Sequence, residues 1–331
     1  MNEFELIASL TKDLPGNAAV VAGAGDDCAV LDLGLRDRWL LFKTDAVVEG
    51  VHFDAGATAA QVGRKALGRC LSDIAAMGGE ASSAVVTLAL PKAYSGDFVS
   101  GVYAGMAALA RQHGVAIVGG ETTTNPERLL ISVALVGTVE KGRCVRRGGA
   151  KAGDGIFVTG ELGGSRLGKH LEFEPRLTEA RWLTEHFGIH AMIDLSDGLA
   201  GDLRHILAAS RVGAELLREA IPISPAAREQ ARRGRAGRPE PGAATPAEST
   251  HPGMVGSGRS PWIAALTDGE DFELLFTLAS KDAVPLKDAW KQRFPELRLS
   301  CIGKIVAGSG LALRDREGVR PLELHGYTHF A

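Results

Sequence analysis

Five short stretches between residues 23 and 198 each set a carboxylate beside Gly, Ser or Thr. They are Gly23-Ala24-Gly25-Asp26-Asp27-Cys28, Thr44-Asp45, Ser72-Asp73, Gly119-Gly120-Glu121 and Asp194-Leu195-Ser196-Asp197-Gly198. Such neighbours suit element boundaries, where the chain bends and an oxygen can be aimed into a shared cleft. For any one pair, a helix cap or a turn is the commoner meaning. Five in an apolar context point instead to a site for a hard cation. Magnesium takes oxygen ligands, keeps several waters, and is usually held by one or two carboxylates together with substrate phosphates. The pattern therefore points to phosphate chemistry, and to a fold that gathers distant segments into one place.

The 331 residues suit two domains better than one core. A boundary is expected in the polar, Gly-containing stretch Lys151-Ala152-Gly153-Asp154, dividing residues 1–150 from 151–331. A formal net charge of -3 with 45% hydrophobic residues is a globular composition without the basic excess of a nucleic-acid binder. Cys28, Cys70, Cys144 and Cys301 have no paired spacing, so neither a zinc ribbon nor a disulfide framework is expected, and a reducing cytoplasm fits best. The acidic N-terminus and the lack of a long apolar run argue against export and membrane insertion.

The periodicity predicts a buried strand at Trp39 to Phe42 that delivers Thr44 and Asp45 at its end, then an Ala-rich helix from Ala59 to Met77 stopped by Gly78-Gly79. A strand, helix, strand run follows from Ala84, ending in Gly119-Gly120-Glu121. In the second half, the short strand Ala191 to Ile193 runs into Asp194 and Asp197, each free to cap the next helix or to face a metal. Residues 231–261 mix Arg, Pro, Gly, Ala, Ser and Thr in a composition that cannot bury a core, and read as a mobile surface insert.

Several enzyme classes are excluded. No Gly-x-x-x-x-Gly-Lys-Ser/Thr element exists, the protein-kinase signatures are absent, and Gly23-x-Gly25 lacks the third glycine of a dinucleotide fingerprint. His186 and His190 stand four apart but without the Glu that a zinc hydrolase needs.

Taken together, Gly25 to Ala29, Thr44-Asp45 with His52-Phe53, Leu71-Ser72-Asp73-Ile74-Ala75-Ala76-Met77-Gly78, Gly119 to Thr123, Ile193 to Leu199, Gly269-Glu270-Asp271-Phe272-Glu273-Leu274 and Gly326-Tyr327-Thr328-His329-Phe330 resemble the thiamine-monophosphate kinases, from end to end apart from the insert. The resemblance implies an α+β, two-domain fold like that of aminoimidazole ribonucleotide synthetase: an N-terminal ATP-binding domain whose strands form a homodimer, and a C-terminal α/β sandwich-like domain. It implies magnesium at Asp27, Thr44, Asp45, Asp73, Glu121 and Asp197, and the reading of the strand end adds Asp194. ATP is expected at Gly119, Gly120, Arg147 and Ser196, and thiamine phosphate at His52, Glu270 and Tyr327. Partners are then small molecules, with no nucleic acid and no membrane.

The acceptor in such a reaction is a phosphate monoester with a second pKa of about 6, largely dianionic at neutral pH, so no general base and no catalytic side chain of that kind is expected. The obstacle is repulsion between two anions, which metal ions and arginines relieve. Lys43, one residue before Thr44, either points to solvent or adds a fixed positive charge to the site, working with Glu121. Two other readings remain open: another ATP-using synthetase of the same superfamily, and a weakened nucleotide- or thiamine-phosphate-binding protein.

Overall fold

The computed structural model describes residues 3–236, 260–324 and 326–327. Its first half contains α1 (Glu3–Thr11), β1 (Val20–Ala22), β2 (Ala29–Leu31), β3 (Arg38–Val48), α2 (Ala59–Ala76), β4 (Glu80–Leu90), α3 (Gly96–Gln112), β5 (Ala116–Thr124) and β6 (Leu130–Glu140). These strands form a six-stranded sheet in the order β1-β2-β3-β6-β4-β5. The second half contains β7 (Asp154–Thr159), α4 (Lys169–Glu172), α5 (Leu177–His186), β8 (Ile189–Asp194), α6 (Leu199–Ser210), β9 (Gly213–Leu217), α7 (Pro225–Ala236), α8 (Pro261–Thr267), β10 (Leu274–Ala279), α9 (Ala283–Arg293), β11 (Leu299–Val306), β12 (Leu311–Asp315) and β13 (Gly318–Pro321). Its seven-stranded sheet has the order β13-β12-β9-β11-β7-β10-β8. The two sheets share no strand, and the break between them falls between Glu140 and Asp154.

Alternation explains how each sheet is covered. Along β6, Ile131, Val133, Leu135 and Val139 point to one face and are buried there against α2 and α3, as a period of two requires. The other face of this sheet is open, with Phe42 and Val85 well exposed. In the second sheet both faces are covered. Ile156 and Val158 of β7 pack with Leu203 and Ile206 of α6, while Phe157 between them packs with Leu183 of α5 and Trp290 of α9. Every residue of β7 is therefore buried.

Helix α2 joins the two halves. A capping box starts it: the Thr58 hydroxyl accepts from Gln61 N, and the Gln61 side chain accepts from Thr58 N. One side lies on the first sheet, and Ala75 on the other packs with Phe157 and Met192 of the second domain. Glycines set the distance to α3. A Cβ on Gly63 would fall 1.9 Å from the Val102 carbonyl oxygen, and one on Gly105 would fall 2.0 Å from that of Ala60. No helix among the described residues is long and apolar enough to cross a membrane.

Three of the five acidic stretches are not turns. β3 pairs with β6 without a break from Arg38 to Val48, so Thr44 and Asp45 lie inside a strand. Ser72 and Asp73 lie inside α2, and Gly119, Gly120 and Glu121 lie inside β5. In each case the long-range ladder or helix packing outweighs the local turn preference. Gly120 is needed there because a Cβ would fall 1.9 Å from the Val86 carbonyl oxygen of β4. The supposed insert also begins too early: α7 continues through Ala231, which is buried, to Ala236, and α8 begins at Pro261. Residues 237–259 lie outside the described residues.

Gly63→Ala is expected to destabilise the protein by about 3 kcal/mol or more, because the α2–α3 crossing must open, despite the roughly 1 kcal/mol that Ala gains in helix propensity. Thermal unfolding checks this. An unchanged Tm would mean that the helices do not cross as closely as described.

Candidate active site

The site grows from α2. Lys65, Arg69 and Asp73 stand four apart, which puts them in one row along the helix. All three are shielded from water, so each needs a partner of opposite charge. β3 supplies two of them. Lys43 and Asp45, two residues apart, share the strand face that looks at α2. Lys43 Nζ lies 2.9 Å from Asp73 Oδ1, and Asp45 accepts from the Arg69 guanidinium at 3.3 and 3.4 Å. The third partner comes from the second domain: Glu270 Oε1 is 2.6 Å from Lys65 Nζ, which also donates to the His52 carbonyl oxygen.

Beside this row Asp27, Asp73 and Asp194 converge, with one oxygen of each inside a 4.8 Å span. Asp27 Oδ1 accepts from Arg147 at 2.6 Å, whereas its buried Oδ2 has no hydrogen-bond partner among the described residues. Asp194 Oδ2 accepts from Ser72 Oγ at 2.6 Å, a bond between α2 and the end of β8. Burial, and then the Asp27 charge, push Asp194 up to about 7. Burial likewise raises Asp73, with Lys43 opposing and Asp45, Asp194 and Asp27 adding to the rise. Burial would lower Lys43, but the charges of Asp73 and Asp45 outweigh it and raise its pKa. Three crowded carboxylates and an unpartnered buried oxygen form a donor set of hard oxygens, which fits a magnesium ion.

A cleft adjoins the cluster, lined among others by His52, Arg69, Arg166, Glu270, Phe272 and Tyr327, with Ser196 and Asp197 at its side. The loop before β10 shapes it under strain. Glu270 and Phe272 have φ of 54° and 50°, a left-handed backbone rare for such residues. Surrounding bonds hold it: Glu270 N donates to Ser196 O, Phe272 N donates to Leu195 O, and Ser165 Oγ donates to Gly269 O. Tyr327 is tied in through its N–H to Asp197 O.

Comparison with known proteins extends this picture. Residues 25–139 match the family model described as AIR synthase related protein, N-terminal domain. The thiamine-monophosphate kinase of Rhodopirellula baltica is 39% identical over 91% of this chain and 87% of its own length. The thiamine-monophosphate kinase of Bacillus subtilis is 30% identical over 100% of both chains. The chain belongs to the thiamine-monophosphate kinase family. A solved structure described as AaThiL complexed with AMPPCP and TMP superposes with a TM-score of 0.79 at 29% identity, covering 99% of this chain and 97% of that one.

Against the thiamine-monophosphate kinase resemblance, the fold brings together Asp27, Asp45, Asp73, Asp194 and Arg147 around α2, and His52, Glu270 and Tyr327 in the cleft. Ser196, expected at ATP, and Asp197, expected at magnesium, line that same cleft. Residues 328–330 of the last motif lie outside the described residues. Thr44 and Glu121 are placed elsewhere. Alternation turns the Thr44 hydroxyl to the open sheet face, 3.3 Å from Ser132 Oγ. Glu121 pairs in register with Thr87, another open-face position, on the edge strand that also carries Gly119 and Gly120. Because β6 and β4 intervene, β5 runs about 14 Å from β3 at ordinary strand spacing, so Lys43 and Glu121 do not act as a linked pair within one protomer. Lys43 itself points to the carboxylates and not to solvent.

Asp194 ends β8 and accepts from Ser72, and the N-cap of α6 is Gly198, which has no side chain to cap with. Asp202, in the first turn of α6, accepts from Asp197 N at 3.1 Å and Gly198 N at 3.0 Å and so holds the turn that leads into the helix. Sequence reading passed over Lys65, Arg69 and Arg166, and gave Ser72 no task beyond its place beside Asp73. The four-residue spacing of Lys65, Arg69 and Asp73 inside an apolar helix was the available signal.

Burial lowers Lys65 to about 8, with Glu270 opposing. The folded protein therefore sheds this proton above about pH 8, whereas an unfolded chain keeps it to about 10.4. More protons on the unfolded chain in that window means that this group's contribution to stability rises with pH across it. Melting curves of the wild type and Lys65→Met between pH 7.5 and about 10 test this. The Tm difference between them is expected to shift in favour of the wild type as pH rises, and a pH-independent difference would refute it.

Proposed function

We propose that the chain transfers the terminal phosphoryl group of ATP to the phosphate of thiamine monophosphate, giving thiamine diphosphate and ADP, in a magnesium-assisted reaction. The observation that carries this reading is the continuity of cleft and cluster. Arg69 lines the cleft and pairs with Asp45, and the turn from Asp194 to Asp197 runs from the carboxylates to the cleft wall. The related protein solved with AMPPCP and TMP supports the same pair of small molecules.

Each residue then has a physical task. Tyr327 offers a ring to a heteroaromatic substrate, Phe272 is stacked on Phe173 beneath the cleft wall, and Glu270, held by Lys65, offers a carboxylate to a cationic ring. Arg69 and Arg166 put positive charge in the cleft for the acceptor phosphate, and Arg147 lies at the cluster for the donor. The acceptor needs no base, since a monoester dianion is already nucleophilic at neutral pH. Asp27, Asp73 and Asp194 would hold magnesium, which when bound supplies charge neutralisation and alignment of the oxygens.

Product analysis with ATP and thiamine monophosphate is expected to give equal amounts of thiamine diphosphate and ADP. Asp27→Asn, which removes charge beside the unpartnered oxygen, is expected to lower turnover about a hundredfold. ADP formed only with a different acceptor would overturn the substrate assignment.

The same reading makes the open face of the first sheet the contact with a second copy. Phe42 at 47%, Val85 at 43% and Val118 at 64% exposure, next to the unpaired edge of β5, form a surface that a monomer would leave wet. Sedimentation is expected to give a dimer that Phe42→Glu splits. A monomeric wild type at micromolar concentration would refute the contact.

A further inference from the structure

Fixed cations and carboxylates alternate across this site. Arg147 lies on Asp27, Lys43 on Asp73 and Arg69 on Asp45. Arginine pairs of this kind orient a carboxylate and still leave lone pairs open. Lys43 differs in position. Its ammonium comes from the sheet into the space beside Asp73, one of the three carboxylates that converge, and Asp45 and Asp27 also act on it. A bonded ammonium takes up a carboxylate oxygen and places a positive charge beside whatever else that carboxylate binds. Among the described residues, Asp27 Oδ2 is buried without a hydrogen-bond partner, and the direct partner of Asp194 is the Ser72 hydroxyl. The cluster is thus neutralised by Lys43 at Asp73 and by Arg147 at one oxygen of Asp27, while the second Asp27 oxygen and Asp194 have no ion pair among the described residues.

We propose that Lys43 is a built-in counter-ion that stands in for a divalent ion at Asp73, so that this chain binds fewer divalent ions than its convergent carboxylates would otherwise hold. The proposal rests on the metal-assisted reading of the site, but it concerns binding and not the identity of the acceptor. Its consequence for catalysis is that part of the charge neutralisation is supplied by the fold and does not vary with the free magnesium concentration.

The test is Mn2+ binding to the full chain without nucleotide, followed by the resonance of free Mn2+, for the wild type, Lys43→Met and Lys43→Arg, with melting curves in chelator and in excess Mn2+. Lys43→Met is expected to bind more Mn2+ per protomer than the wild type, and its Tm is expected to fall in chelator and recover with Mn2+. Lys43→Arg keeps the charge and should keep the wild-type stoichiometry. Equal Mn2+ stoichiometry and affinity in the wild type and Lys43→Met overturns the proposal, as does a Lys43→Met protein that unfolds in chelator and is not rescued by Mn2+. If Lys43→Met gains Mn2+ while no thiamine diphosphate is formed by the wild type, the substrate reading fails and the counter-ion stands. The reverse result removes the counter-ion alone.

Discussion

Burying a charged row along α2 is the constraint on which the rest depends. Lys65, Arg69 and Asp73 are largely or wholly withdrawn from water, and an unpaired charge in such a place costs several kcal/mol. Their partners come from separate parts of the chain: Glu270 from the loop before β10, and Asp45 and Lys43 from β3. Ser72, from the same helix, adds a bond to Asp194. The packing of the domains and the assembly of the site are therefore one event. A change that loosens α2 moves the cluster and the cleft together.

The loop before β10 shows a division of labour within six consecutive residues. Asp268 and Asp271 accept from the backbone N–H groups of Gly164 and Gly163, and Glu273 is held by Lys169, Arg176 and Thr159. Asp271 and Glu273 are scaffold, and Asp268 both anchors the loop and lines the cleft. The residues between them, Glu270 and Phe272, adopt left-handed backbone and line the cleft. Strain at the lining is sustained because the neighbours are over-determined, a common arrangement where a side chain must be presented in one direction.

The first half divides the faces of its sheet economically. Strand alternation in the first sheet sends Leu41, Lys43 and Asp45 toward α2, and Phe42 and Thr44 the other way. One strand thus serves the core, the charged site and an open face. The cost is that two residues adjacent in sequence, Lys43 and Thr44, have no common task.

The amino-acid sequence by itself determined the family, the longer strands and helices and most of the residues that meet, because its motifs and periodicities are local and survive without knowledge of contacts, whereas short strands such as β9, β12 and β13 were not legible. Asp27, Asp73 and Asp194, and likewise His52, Glu270 and Tyr327, were legible in this way. What only the tertiary structure decided is which face each side chain takes and whom it pairs with. Asp202 bonds back to the turn that leads into α6, Thr44 and Glu121 turn to the open sheet face, and Lys43 turns inward to Asp73. The physical reason is the same in each case. Turn and cap preferences are worth about 1 kcal/mol and favour several outcomes, whereas strand register and the pairing of buried charges act over long sequence distances and allow one.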